Sequence, residues 1–362
     1  MTDRRQHVQR TFRLDEAPAI AGAATPLTRP VGIGATGLYV PEQVVTNDDL
    51  AETLDTSDEW ITSRIGIRQR RFLTEGMATS DMGIAAARQA LDRSGVDAGD
   101  LDVVIVATFT PDQPLPSTAL IVAEALGARR ALPLDLSQSA CAGGIHAILL
   151  AAHLLQNDAF RNILVIGADA GSRLTDPLDR GTRVFFGDAA GAALLRPTAS
   201  GFGLLSWHTG SALSYEVQIP AGGSRRPTSP ETVDERGQFL KMNGRAVWDM
   251  ATGQLPGSIR QAALRAGVGL EDVRHFLLHQ ANQNIINETV SSLGISADRV
   301  PTTVGRLGNT GAASMFTVLH EAMENTVRHG DLMIMAGIGA GFLWGSVCLR
   351  HFGPDPSGDA WG

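Results

Sequence analysis

Asp102-Val103-Val104-Ile105-Val106-Ala107 is followed at a start-to-start distance of 61 positions (102 to 163) by Ile163-Leu164-Val165-Ile166-Gly167. The pattern returns as Val273-Arg274-His275-Phe276-Leu277-Leu278 and Leu332-Met333-Ile334-Met335-Ala336, 59 positions apart (273 to 332). Continuous apolar runs of this kind belong to strands covered on both faces. Ala-rich stretches of helical period lie between the members of each pair. The near-equal spacing predicts an α/β unit present twice, as two stacked sheets in a five-layered body. The expected halves are 31–200 and 201–352, flanked by an N-terminal arm over 1–30 without period and a tail over 353–362.

A chain of 362 residues, 43% hydrophobic and 19% charged, has enough apolar surface for a large core. Its two cysteines, Cys141 and Cys348, make no disulfide framework, and no run reads as a secretory start or a membrane span. A reducing cytoplasm is the expected compartment, where a reactive thiol survives. The net charge of −8 argues against a nucleic-acid partner. The one basic block, Arg68-Gln69-Arg70-Arg71, is suited to meeting a phosphorylated ligand locally.

Ala140-Cys141-Ala142-Gly143-Gly144 precedes Ile145, Ile148, Leu149, Ala152 and Leu155, a 3.6-period stripe that places Cys141 at a helix N-terminus. The helix dipole and free N–H groups favour a thiolate there, whereas a lone buried cysteine is otherwise an inert packing residue. His279 closes an apolar strand-like run, and Asn309 lies in Leu307-Gly308-Asn309-Thr310-Gly311-Ala312-Ala313, a turn before a helix. Strand ends and turns are where α/β sheets carry their sites. Alone, His279 also reads as a satisfied core histidine and Asn309 as a turn residue. Together with Cys141 they form a nucleophile with two neutral donors. The cysteine would hold an acyl group as a thioester, and the donors would stabilise the enolate left when a malonyl thioester loses carbon dioxide.

Other motifs carry less. Gly32-Ile33-Gly34-Ala35-Thr36-Gly37 matches a dinucleotide fingerprint, but Pro41 spoils the helix that should follow, so a tight strand-to-turn passage is expected. Gly339-Ala340-Gly341 lets backbone approach a ligand or a neighbouring helix. Ile219 to Gly237 reads as a long loop between the halves and a candidate lid. His146 and His153 lack a partner with metal-ligand spacing and are expected to pack, and no metal is required. His275 is expected to be structural, with a supporting role behind His279 as the alternative.

Over about residues 31–352 the chain resembles the 3-oxoacyl-acyl-carrier-protein synthase III (beta-ketoacyl synthase III) family of the thiolase superfamily. The resemblance rests on Thr56-Ser57-Asp58-Glu59-Trp60-Ile61 with Arg64 and Gly66-Ile67, Ala140-Cys141-Ala142-Gly143, Asp179-Arg180-Gly181-Thr182, Phe186-Gly187-Asp188-Ala189-Ala190-Gly191, His279-Gln280-Ala281-Asn282, Gly308-Asn309-Thr310 and Gly341-Phe342-Leu343-Trp344-Gly345. It implies a homodimer of thiolase-like subunits, each with duplicated βαβαβαββ halves in five αβαβα layers. Cys141 would be the nucleophile, His279 and Asn309 the decarboxylation pair, and the backbone N–H groups of Cys141 and Ala340 the oxyanion hole. Trp60 and Arg180 would sandwich the adenine of coenzyme A, with Arg64 near its phosphates and Arg245, Trp248 and Asn282 along the pantetheine channel.

The implied reaction is acyl transfer from an acyl-CoA to Cys141, then decarboxylative condensation with malonyl-CoA or malonyl-acyl carrier protein, with no permanently bound cofactor. Transfer of the acyl group to an alcohol or amine is the alternative. Several positions depart from the family pattern. Asn284 stands where an arginine usually helps to dock the carrier protein, Ile65 replaces a small hydroxyl, and Arg245 and Trp248 replace Asn and Phe. Leu115 occupies a frequent phenylalanine position that reaches the neighbour's acyl pocket across the dimer, and would admit a primer bulkier than acetyl. These departures leave fatty acid, polyketide and antibiotic assembly open.

Overall fold

A computed structural model describes residues 27–137 and 140–353. The expected arm up to residue 26 and the expected tail beyond residue 353 lie outside the described residues. The four apolar runs form the centres of two sheets. The first has the order Val31–Tyr39, Asp188–Pro197, Ile163–Ala170, Val103–Ala107, Leu132–Leu136. Val103–Ala107 pairs in parallel with both Ile163–Ala170 and Leu132–Leu136, and Asp188–Pro197 runs antiparallel to its two neighbours. The second sheet repeats the course as Gly203–Ser211, Leu343–Arg350, Leu332–Gly339, His275–Leu278, with one parallel pair where the first has two, and likewise two antiparallel ones.

Two helices of twelve residues, Gly143–Leu154 and Ser314–Asn325, fill the space between the sheets. Their Ile145, Ile148, Phe316 and Leu319 share one core with Ile105 and Val165 of the first sheet and Met333 and Val347 of the second. Thr79–Ser94 and Thr118–Leu126 cover the outer face of the first sheet, and Gly244–Ala266 and Gln283–Leu293 that of the second. This is the expected five-layered thiolase-like fold. Phe316 crosses from one half to the other: a Cβ on Gly191 would come within 2.3 Å of the Phe316 Cβ, so glycine there lets the ring lie on the first sheet. Truncating a fully buried phenylalanine costs about 3–5 kcal/mol.

The second sheet has four strands among the described residues where the first has five. The segment before its central helix is held differently, because the Thr303 and Val304 N–H groups donate to the Gln280 Oε1 at 2.8 and 3.1 Å. A side-chain amide thus replaces ladder bonds. No described helix is long and apolar enough to cross a membrane, and the described residues hold no cluster of three or more metal-ligating side chains.

Three sequence expectations are corrected. The Gly32–Gly37 stretch makes no turn, being the interior of the strand Val31–Tyr39; a Cβ on Gly37 would meet the Ala86 O at 2.0 Å, so the glycine serves close packing with the helix Thr79–Ser94. Arg70 is fully buried, donating to the Asn47 Oδ1 at 2.8 Å and the Val184 O at 2.7 Å, and Arg71 binds the Pro41 and Glu42 carbonyls. Only Arg68 of that basic triplet is exposed, so it is no phosphate cradle. The segment Ile219–Gly237 lies within the second half, after Gly203–Ser211, and carries the helix Pro230–Asp234. His275 is structural as expected, its Nε2 3.1 Å from the Asp331 Oδ2, and His153 packs edge-on against Trp207.

Candidate active site

Cys141 lies in the turn Ala140–Ala142 that opens the helix Gly143–Leu154. His279 follows the strand His275–Leu278, and its N–H carries the ladder one step further to the Ala336 O at 2.8 Å. Asn309 is pinned by its backbone to the segment 185–187, donating to the Phe185 O at 2.8 Å and accepting from the Gly187 N–H at 3.0 Å. That approach needs glycines, because a Cβ on Gly187 would stand 2.2 Å from the Leu307 O and Gly308 has φ of 68°. The three side chains line one cavity of about 190 Å³, walled mainly by apolar groups such as Phe109, Phe186, Ile219, Leu240 and Phe342.

The surroundings fix the character of each group. The Asn309 Oδ1 accepts from the Gly311 N–H at 3.0 Å, which leaves its amide nitrogen to donate. The His279 Nδ1 bonds to the Ser314 hydroxyl, which has no other acceptor among the described residues, so the hydroxyl donates and the ring proton is assigned to Nε2. Burial lowers the His279 pKa to about 4, so the ring stays neutral at physiological pH. Two neutral N–H donors thereby share the cavity with the sulfur.

Cys141 departs from expectation. Part of its surface opens to the cavity, yet burial first, and the Asp169 carboxylate second, push the thiol up to about 12. Hydrogen bonds from Asn309 and from its own backbone N–H offset only part of this. Desolvation outweighs the helix terminus, and the resting group is a thiol.

A second cavity of about 570 Å³ shares Met242, Val247, Ala281 and Asn309 with the first and extends to Trp60, Arg64, Arg245, Trp248, Asn282 and Asn284. A channel therefore joins the surface to the sulfur. Along it, the Asn282 side chain caps the helix Gln283–Leu293 through the Ile285 N–H at 2.9 Å, and Asn284 donates to the Arg64 O at 2.7 Å. Arg245 pairs with Asp249 at 3.0 Å. Ala340 lines the inner cavity beside Gly339. Arg180 lines neither cavity; its guanidinium lies 4.7 Å from the Trp60 ring centroid and donates to the Asp55 O at 2.6 Å. At that distance the two stack on each other, and a purine enters between them only if they part. Leu115 is 84% exposed and lines neither of these two cavities.

Sequence reasoning passed over Phe109, Ser314 and Asp169. Ser314 gave no signal, being one small residue at a helix start. Asp169 did give one, as a charge near the end of the strand Ile163–Ala170 that is otherwise apolar and fully covered.

Family models described as 3-oxoacyl-[acyl-carrier-protein (ACP)] synthase III and as its C-terminal part match residues 134–212 and 264–351. The chain is 43% identical over 325 residues to the beta-ketoacyl-[acyl-carrier-protein] synthase III of Symbiobacterium thermophilum, covering 89% of this chain and 98% of that one. The chain belongs to the beta-ketoacyl-[acyl-carrier-protein] synthase III family. Among solved structures, this synthase III chain superposes on the 3-oxoacyl-[acyl-carrier-protein] synthase III of Aquifex aeolicus VF5 with TM-score 0.82 at 36% identity, covering 89% of this chain and 100% of that one. It also matches the priming beta-ketosynthase of the R1128 polyketide pathway with TM-score 0.83 at 31% identity, covering 90% and 98%.

Proposed function

We propose that the chain is a priming ketosynthase that takes an acyl group from coenzyme A onto Cys141 and condenses it with a malonyl thioester. The observation that carries the reading is the single apolar cavity that brings Cys141, His279 and Asn309 together and is joined by a channel to the surface. In the first half-reaction the Cys141 sulfur displaces coenzyme A from the acyl carbon, and the thiol proton ends on the departing sulfur. The N–H groups of Cys141 and Ala340 hold the carbonyl oxygen while charge develops on it. In the second, the electron pair of the breaking C–CO₂ bond forms an enolate whose oxygen receives hydrogen bonds from the His279 Nε2 and the Asn309 amide. The enolate carbon attacks the acyl carbonyl, Cys141 leaves as thiolate and is reprotonated, and a 3-oxoacyl thioester departs.

A histidine whose pKa lies near 4 is a weak base and a serviceable donor, which supports condensation over transfer to an alcohol or amine. On this reading the half 31–200 supplies the nucleophile and the half 201–352 the donors. Trp60, Arg64, Arg180, Arg245, Trp248 and Asn282 receive coenzyme A, which is a substrate, and no cofactor is retained. The malonyl group rides on a carrier protein or on coenzyme A; Asn284 in place of a cation weakens steering of an acidic carrier. A homodimer is supported by the free edge of Leu132–Leu136 and by exposed Leu115, Leu120 and Leu132. Leu115 then reaches the neighbour's acyl pocket. The expected compartment is the cytoplasm.

The test is intact mass after incubation with acyl-CoA alone, followed by carbon dioxide release from malonyl-CoA and malonyl carrier protein side by side. An acyl adduct on the wild type that Cys141→Ala lacks, with release from either donor, is expected. No adduct on the wild type ends the reading.

A further inference from the structure

Asp169 is a buried carboxylate to which the reaction above gives no part. Its Oδ1 accepts from the Phe109 N–H at 2.9 Å and from the Thr108 and Thr110 hydroxyls at 2.9 and 3.2 Å. Its Oδ2 accepts from the Ala312 N–H at 2.6 Å. The first group of partners lies just past the strand Val103–Ala107 of the first sheet, in the stretch whose Phe109 lines the reaction cavity. Ala312 lies in the turn Gly311–Ala313 of the second half, directly after Asn309 and Thr310. That turn also orients Asn309, through the bond from the Gly311 N–H to its Oδ1. Gly311 is itself pressed against the carboxylate, since a Cβ on it would stand 2.2 Å from the Asp169 Oδ2.

We propose that Asp169 is a positioning residue for the decarboxylation step, tying the turn behind Asn309 to the first-half segment behind Phe109 and so fixing the Asn309 amide relative to Cys141. The proposal rests on the ketosynthase reading. A group with two accepting oxygens is chemically required at this junction. Each oxygen faces one backbone N–H, and a backbone N–H cannot reverse its role as a hydroxyl can. A carboxamide of the same shape would turn its NH₂ onto either the Phe109 N–H or the Ala312 N–H, whichever way it is flipped. One bond would be lost and two donors set against each other in a buried place. The turn would then shift, and a shift of about 1 Å behind a catalytic donor costs on the order of 100-fold in rate. The acyl-loading step uses Cys141 and the backbone N–H groups; removing the Asp169 charge and shifting the Asn309 hydrogen bond act on the Cys141 thiol in opposite senses, so loading is spared most of the loss at Asn309.

Asp169→Asn and Gly311→Ala strain the same junction from opposite halves, and both half-reactions are measured on each: acyl adduct formation by intact mass and carbon dioxide release from the malonyl thioester. The expected result is loading within about 3-fold of wild type and carbon dioxide release lower by about 100-fold. Thermal midpoints show which variants are folded, and if Asp169→Asn does not fold, the ratio in Gly311→Ala decides. Equal loss of both half-reactions in a folded variant overturns the proposal, as does wild-type decarboxylation in Asp169→Asn. These results leave the ketosynthase reading standing. A wild type that accepts no acyl group from coenzyme A overturns both.

Discussion

In the first half, the strand Leu132–Leu136, the turn Ala140–Ala142 and the helix Gly143–Leu154 follow one another; in the second, the segment 300–303 and the short helix Val304–Leu307 precede the turn Gly311–Ala313 and the helix Ser314–Asn325. The first course ends on a sulfur. The second passes Asn309 just before its turn and places Ser314 just after it, against His279. The strand ends differ in the same sense, since Val103–Ala107 leads to Thr108 and Phe109 while His275–Leu278 leads to His279. One folding pattern used twice has thus brought Cys141 from one copy and His279 and Asn309 from the other to the same cavity. The cavity exists only where the copies face each other.

If the division of labour is real, it breaks cleanly under mutation. Cys141→Ala should remove the acyl adduct and all condensation, the largest effect of the series, with intact mass as the measure. His279→Ala and Asn309→Ala should keep the adduct and lower carbon dioxide release by about 10²–10³-fold, the range for losing one preorganised donor. Loss of loading in either second-half variant would show that the donors also serve the first step, and the comparison would fail. Trp60→Ala sharpens it from outside, because the residue lies on the channel to both halves' chemistry. Capture of acyl-CoA should weaken by about 1–3 kcal/mol with attack by preloaded Cys141 unchanged. Normal affinity combined with a lower thermal midpoint would make Trp60 a surface anchor instead.

The sheet centres were legible because doubly covered strands must be apolar throughout, and the spacing of the four runs carried the duplication with it. The convergence of Cys141, His279 and Asn309 on one cavity was legible because each sits at a strand end or in a turn before a helix, where α/β sheets open their clefts. Their electrostatics were not legible. A helix terminus is a local feature of sequence, whereas the burial and the Asp169 charge that push the Cys141 thiol up to about 12 come from residues distant in the chain. The Trp60 and Arg180 stack was anticipated as a pair but not as a direct contact, because sequence gives partners without separations. The Gln280 amide that holds the segment 303–304 was invisible for the same reason: its acceptor is matched to backbone donors, which every residue type but proline carries.

The smallest expected effect is one of sign, and it sets two buried carboxyls of the first half against two buried histidines of the second. In the first half, burial raises the Asp169 pKa to about 7 and also raises that of Asp188. A folded-state carboxyl that binds its proton more tightly than the unfolded chain does contributes stability that falls as pH rises, here between about 4 and 7. In the second half, burial lowers His279 to about 4, and burial with neighbouring His329 lowers His351 to about 4. Between about 4 and 6.5 the unfolded chain then binds the extra protons, so this contribution is lost as pH falls through that window. From pH 6.5 towards 4 the thermal midpoint of His279→Gln, which cannot titrate, should rise relative to that of wild type. Equal slopes in the two proteins would mean that His279 is not kept neutral by the fold, and the case for it as a standing N–H donor would go with it.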